Sequence, residues 1–160
     1  MAKANGKVIL LGEHAVVYGH SALVAGIENG AEAKATIAPA SSISIDSRTA
    51  ANEMLVAAFA ALRQELNAPP FKAEVALKIP AGCGLGASAA AAVAVARAVL
   101  DVLDPSPVES PRRRSAILSA ANAWERVFHG NPSGIDAAAA TLGGCLSFSR
   151  HSGADKLTVG

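Results

Sequence analysis

Cysteine, aromatic side chains and net charge are all scarce in this 160-residue chain, and each scarcity removes a class of protein. The 2 cysteines, Cys83 and Cys145, lie far apart, too few to staple a small secreted domain and without the paired spacing of a zinc site. They fit a reduced, cytoplasmic protein. Lys and Arg total 14 against 13 Asp and Glu, so the net charge is +1 and no basic field is available to hold nucleic acid, which is not an expected partner. Long apolar runs are also missing. The first apolar segment, Lys7 to Leu11, is interrupted by Gly12, Glu13 and His14 before an export signal would be complete. The small-residue run Ala89 to Ala96 stops at Arg97, well short of the roughly 20 residues that a bilayer demands, so no membrane association is expected.

What remains is aliphatic. Hydrophobic residues make up 51% of the chain against 17% charged, enough apolar material for the core of one domain. Short apolar segments at Lys7 to Leu11, Ala22 to Gly26, Ala31 to Ala38 and Ile43 to Asp46 read as strands, the first two flanking a polar turn from Gly12 to Gly19. Thr49 or Asn52 caps a helix with Met54, Leu55, Ala58, Leu62 and Leu66 near helical spacing, which Pro69 and Pro70 stop. Lys72 to Lys78 alternates as a half-buried strand does. Ala87 to Leu103 is apolar on nearly every side, as a helix buried against a sheet must be. Ser110 and Pro111 open a helix to about His129, on which Arg112 to Arg114 reads as a solvated face. A short helix near Ile135 to Leu142 and a strand from Cys145 to Ser149 follow.

Four constellations carry chemistry. In PAGCGLGASAA, Pro80 to Ala90, a strand delivers Gly82, Gly84 and Gly86 into the first turn of a helix. Glycine lets backbone amides approach a ligand, and the helix start adds free N–H groups and a positive dipole end, so a phosphate chain is one occupant. A mere tight connection is the other reading. Ser88 adds a hydroxyl suited to Mg2+ or a phosphate oxygen. Glu125 shares a helix face with Leu118, Ala121 and Phe128, so its carboxylate needs a partner: a salt bridge near Arg126, solvent at a helix end, or a cation beside Ser88. The turn HGNPSGID presents Ser133 and Asp136 at a helix start. Asp136 is there either as a first-turn acid favoured by the dipole or as an acceptor for a hydroxyl proton. Lys7 at a strand edge reads as a snorkelling surface lysine or a functional cation, and Glu13 and His14 as turn residues or cleft contacts.

Taken together, KVILLGEHAVVYGHSAL, PAGCGLGASAA and WERVFHGNPSGIDAAAATLGG, in this order, resemble the three motifs of the GHMP kinases, and within them the mevalonate kinases. The resemblance implies an α+β fold of the ribosomal protein S5 domain 2-like type, a mixed sheet backed by helices with a left-handed crossover. It also implies ATP-dependent phosphorylation of the 5-hydroxyl of mevalonate, with ATP and Mg2+ as cofactors. In that scheme Gly82, Gly84, Leu85, Gly86, Ala87 and Ser88 bind the nucleotide, and Ser88 and Glu125 hold the metal. Asp136 and Lys7 are catalytic, while Glu13, His14 and Ser133 line the substrate pocket. Two positions depart from the family pattern: Asn5 stands where a proline is usual, and Ala87 where a second serine is common. Family members continue into a C-terminal domain with a further Gly-rich motif, so residues 1–160 are expected to be the N-terminal domain. Such a half leaves apolar surface open to that missing partner or to a homo-oligomer. The alternatives are a catalytically silent nucleotide-binding fragment and a kinase for another small alcohol such as phosphomevalonate.

Overall fold

A computed structural model describes residues 1–46, 48–49, 52–106 and 109–158. Among these the order is β1 (Ala2–Leu11), a 3-10 turn (Ala15–Tyr18), β2 (Ala22–Ile37), β3 (Ser42–Ile45), β4 (Arg48–Thr49), α1 (Glu53–Glu65), β5 (Phe71–Leu77), α2 (Ala87–Leu103), α3 (Pro111–His129), α4 (Ile135–Leu142), β6 (Cys145–Ser149) and β7 (Gly153–Lys156). The strands form one mixed sheet in the order β4-β3-β5-β2-β6-β7, with β1 also paired to β2. All pairings are antiparallel except β3 with β5. This is the α+β architecture, a mixed sheet backed by helices, that the family resemblance implies.

The helices cover one face. Ala31 and Ala33 of β2 and Ala73 and Val75 of β5 point into the core, while Glu32, Lys34, Lys72 and Glu74 alternate outward. At the centre lies α2, in which Ala89 through Ala96 are all at most 2% exposed. Its alanines have little bulk, so the helix sits close to the sheet, and the larger Phe59, Leu62, Phe71, Ile117 and Trp124 fill the remaining space. No described helix is long and apolar enough to cross a membrane. Cys83 and Cys145 are free thiols.

Several boundaries differ from the sequence-based expectation. The segments Ala22 to Gly26 and Ala31 to Ala38 belong, up to Ile37, to one long strand, because β1 pairs with β2 on both sides of the polar Glu28-Asn29-Gly30 stretch. A register shift between Ala4 and Gly6 absorbs the irregularity, and a Cβ on Gly30 would lie 2.1 Å from the Gly6 nitrogen. The first strand starts at Ala2, not Lys7, since pairing with β2 overrides the weak strand preference of Ala2 to Gly6. Asn52 is the cap of α1, its side chain accepting from the Met54 N–H at 2.9 Å, whereas Thr49 lies in β4. Met54 is exposed, and Phe59 takes the core position instead.

Arg112 to Arg114 is not simply a solvated face. The Arg113 guanidinium, its side chain 9% exposed, donates to the carbonyls of Leu100 and Asp104 and to Asp101, closing the C-terminal end of α2. Arg114 pairs with Glu109, which also accepts from Arg97. Arg97 in turn reaches the carbonyls of Lys3 and Thr141, tying α2 to β1 and α4.

Candidate active site

Four elements, β1, α2 with the loop before it, α3 and α4, bring Lys7, Ser88, Glu125 and Asp136 to one cavity. After β5, the chain from 81 to 86 turns through glycines of positive φ, and Gly86 (φ 74°) starts α2 with no side chain capping the helix. The first-turn amides are thus left for a ligand. Leu85 accepts from the Lys7 backbone N–H at 2.9 Å, which pins this loop to β1. Close approach requires glycine at 86, because a Cβ there would lie 2.6 Å from Cγ of Lys7.

Under that glycine runs the Lys7 side chain. It is 8% exposed and reaches Oδ1 of Asp136 at 3.2 Å, so the surface-lysine reading is overturned: the loop buries the stem, and the carboxylate compensates the charge. Asp136 lies in the first turn of α4, whose N-cap is Gly134, and the Ser133 hydroxyl accepts from the Ile135 N–H at 3.3 Å just before it.

From α3 comes Glu125, 3% exposed. Solvent does not partner it: Ser88 Oγ donates to its Oε1 at 2.5 Å, and on the side of Arg126 it is His129 whose Nε2 lies 3.6 Å from Oε2. Trp124 Nε1 donates to the same Ser88 oxygen at 3.1 Å. Burial pushes the Glu125 carboxyl above its ordinary range, with Asp136 adding to the rise and Ser88, His129 and Lys7 opposing it. Lys7 already serves Asp136, so the pair of carboxylates is short of positive charge.

These side chains line a cavity of about 480 Å³ together with Gly82, Gly84 and apolar Ile45, Leu55, Leu77 and Phe128. A smaller one of about 180 Å³ adjoins it, sharing Glu125, His129 and Asp136 and adding Asn122 and Ser133. Glu13 and His14 are exposed in the turn after β1 and line neither. Another hollow of about 470 Å³, on the open face of the sheet, is lined by Glu32, Lys34, Lys72 and Glu74 and shares no residue with this site.

A divalent cation is suited to the Ser88 and Glu125 pair. Both offer oxygen, burial disfavours the charged form of the Glu125 carboxylate, and Mg2+ commonly takes one or two protein ligands and completes its shell with water and phosphate. No cluster of three or more His, Cys, Asp or Glu residues suited to a metal occurs among the described residues. The sequence did not single out Trp124 or His129 as site members. Trp124 had one signal, its place beside Glu125 as the sole tryptophan.

A mixed sheet backed by helices, with a glycine loop opening a central helix, is an arrangement suited to holding a phosphate chain. The chain belongs to the GHMP kinases N terminal domain family, which it matches over residues 53–144 and whose members are ATP-using kinases. Among solved structures it is similar to the L. major mevalonate kinase in complex with R-mevalonate, at 30% identity and a TM-score of 0.75, covering 96% of this chain and 49% of that one. Mevalonate kinase from methicillin-resistant Staphylococcus aureus MRSA252 is 28% identical with a TM-score of 0.66, covering 99% and 55%. Streptococcus pneumoniae phosphomevalonate kinase, solved with phosphomevalonate and AMPPNP, shares the fold at 20% identity and a TM-score of 0.72, covering 93% and 50%. The chain therefore spans about half the length of these proteins. Curated protein sequences give no match.

Proposed function

We propose that residues 1–160 are the N-terminal domain of a kinase that transfers the γ-phosphoryl group of ATP to the 5-hydroxyl of mevalonate. The observation that carries this reading is the convergence of two pairs, Lys7 with Asp136 and Ser88 with Glu125, beside an uncapped helix start. In this proposal the amides of the glycine loop and of the first turn of α2 bind the phosphates, and the apolar wall of Ile45, Leu55, Leu77 and Phe128 suits a nucleotide base. Ser88 and Glu125 hold Mg2+, which when bound draws charge from the phosphate oxygens. The acceptor hydroxyl gives its proton to the Asp136 carboxylate as the new oxygen–phosphorus bond forms and the bond to the ADP oxygen breaks. Lys7, held 3.2 Å from Asp136, places positive charge where the transferring group becomes most negative.

Mevalonate is favoured over other small alcohols by the GEHAVVYG and GNPSGID motifs and by the 30% identity to an enzyme solved with that molecule. Glu13, His14 and Ser133 are the proposed substrate contacts. Of these only Ser133 lines a cavity next to Asp136, and Glu13 and His14 are assigned on motif position alone. A C-terminal domain is proposed to supply the second wall, without which turnover by residues 1–160 is negligible. The test is ADP release by the protein joined to such a domain, with mevalonate, phosphomevalonate, galactose and homoserine offered separately. Release driven by mevalonate alone supports the reading. Preference for another alcohol moves the substrate assignment while keeping the chemistry, and release with none of them overturns it.

A further inference from the structure

Tryptophan 124 is buried to 1% exposure, yet its one polar atom is spent on a neighbouring element instead of on its own helix. The indole N–H can only donate. Because it occupies one lone pair of Ser88 Oγ, the hydroxyl proton must point elsewhere, and it points at Glu125 Oε1. Trp124 and Glu125 are adjacent on α3, so a single turn of one helix grips the same oxygen from two sides. What is left on Ser88 Oγ is one free lone pair, and its residue lines the same cavity as Gly82, Gly84 and Gly86.

We propose that Trp124 is a positioning residue for the cation site: its N–H fixes the rotation of the Ser88 hydroxyl, so that the remaining lone pair and the Glu125 carboxylate present themselves together to a divalent ion. This rests on the kinase reading above and extends it to a residue that acts on the cation site through Ser88. Without the N–H, Ser88 is free to turn and to use either lone pair elsewhere, and the ion meets a hydroxyl that must first be reoriented. The indole ring itself packs against Phe128, with centroids 6.2 Å apart, and that contact is separable from the hydrogen bond.

The separation is practical because this is the only tryptophan in the chain. Growth on a tryptophan analogue replaces residue 124 and nothing else. Benzothienylalanine keeps the ring shape and removes the N–H, 7-azatryptophan keeps both, and Trp124→Phe removes the N–H with part of the ring. The readout is AMPPNP affinity by calorimetry, with Mg2+ and with EDTA, on the 160-residue chain. Trp124→Phe and the benzothienyl form are expected to lower the Mg2+-dependent gain in affinity about fivefold, the worth of one neutral hydrogen bond, with EDTA affinity unchanged. The 7-aza form keeps the native gain. In a Ser88→Ala background, Trp124→Phe produces no further loss, since the residue acts through Ser88.

An undiminished gain in the benzothienyl form overturns the proposal, as does a loss that is equal with and without Mg2+ or one that persists in Ser88→Ala. If the unmodified chain gains nothing from Mg2+, the shared-cation reading of Ser88 and Glu125 fails and the role of Trp124 falls with it. The two failures are thus told apart by the unmodified protein.

Discussion

Replacing Glu125 by Gln should make the protein more stable and less able to bind Mg-nucleotide. The substitution keeps the shape and keeps an oxygen to accept from Ser88, the 2.5 Å contact. What it forfeits is the 3.6 Å approach to His129, whose side chain is 58% exposed, an interaction of little worth. What it removes is a carboxylate held 3% exposed with too little positive charge around it. Because the folded state raises the Glu125 pKa above 4.5, mainly by burial, the folded chain binds this proton more tightly than the unfolded one. Stability therefore falls as pH climbs from 4.5 through the folded pKa, and stays lowered above it. The gain on substitution is of the size of one buried interaction, about 1 kcal/mol, or about 2–4 °C in melting temperature for a chain of this length. Thermal melts of the two proteins across pH test it. The difference should be full above the raised folded-state pKa and close as pH falls toward 4.5, while Mg2+-dependent AMPPNP affinity drops at least about tenfold at every pH where Glu125 is ionised. A Glu125→Gln protein less stable than the native one across the whole pH series would show that the carboxylate is a structural anchor and refute this reasoning.

Asp136→Asn should leave nucleotide affinity nearly unchanged and lower phosphoryl transfer by about a hundredfold or more, measured by ADP release; near-native turnover would reduce Asp136 to a helix-start acid. Gly86→Ala places a Cβ 2.6 Å from Cγ of Lys7 at φ 74°, so it should cost about 1–2 kcal/mol in a denaturant melt and weaken nucleotide binding as well; a neutral outcome would mean that the loop moves freely from β1. Glu109, which burial would raise, is instead held below 4.5 by Arg97 and Arg114. Its pairing therefore stabilises the fold above pH 4.5 and is lost as pH falls through its lowered pKa, so Glu109→Gln should flatten the acid limb of the stability profile, and an unchanged limb would contradict that.

The helices were the most legible part of the sequence. α2 and α4 match the expected bounds because Gly86, Asp104 and Gly143 punctuate uninterrupted apolar runs, and Ser110-Pro111 marks the start of α3 unambiguously. Strands were harder. Glu28-Asn29-Gly30 has the composition of a turn, and only the distant β1 keeps it within β2. β7 and β4 are short and polar, without the alternation that would announce them. The same distinction runs through the candidate site. Its glycine loop and its acids were visible as local motifs, whereas the burial of Lys7 depends on Asp136, far along the chain, and on the loop folding over it. Trp124 carried no more signal than its place beside Glu125, because its contact with Ser88 is made across to another helix.

Phosphorus NMR of the protein joined to a C-terminal domain, given ATP, Mg2+ and mevalonate, tests the central claim most directly, because it follows the group being moved. The account predicts that the γ-phosphate resonance of ATP gives way to a phosphomonoester on the primary hydroxyl of mevalonate with one ADP formed per ester, and that Asp136→Asn slows both about a hundredfold or more. Release of inorganic phosphate without ester, or ester formation at the native rate in Asp136→Asn, would contradict it.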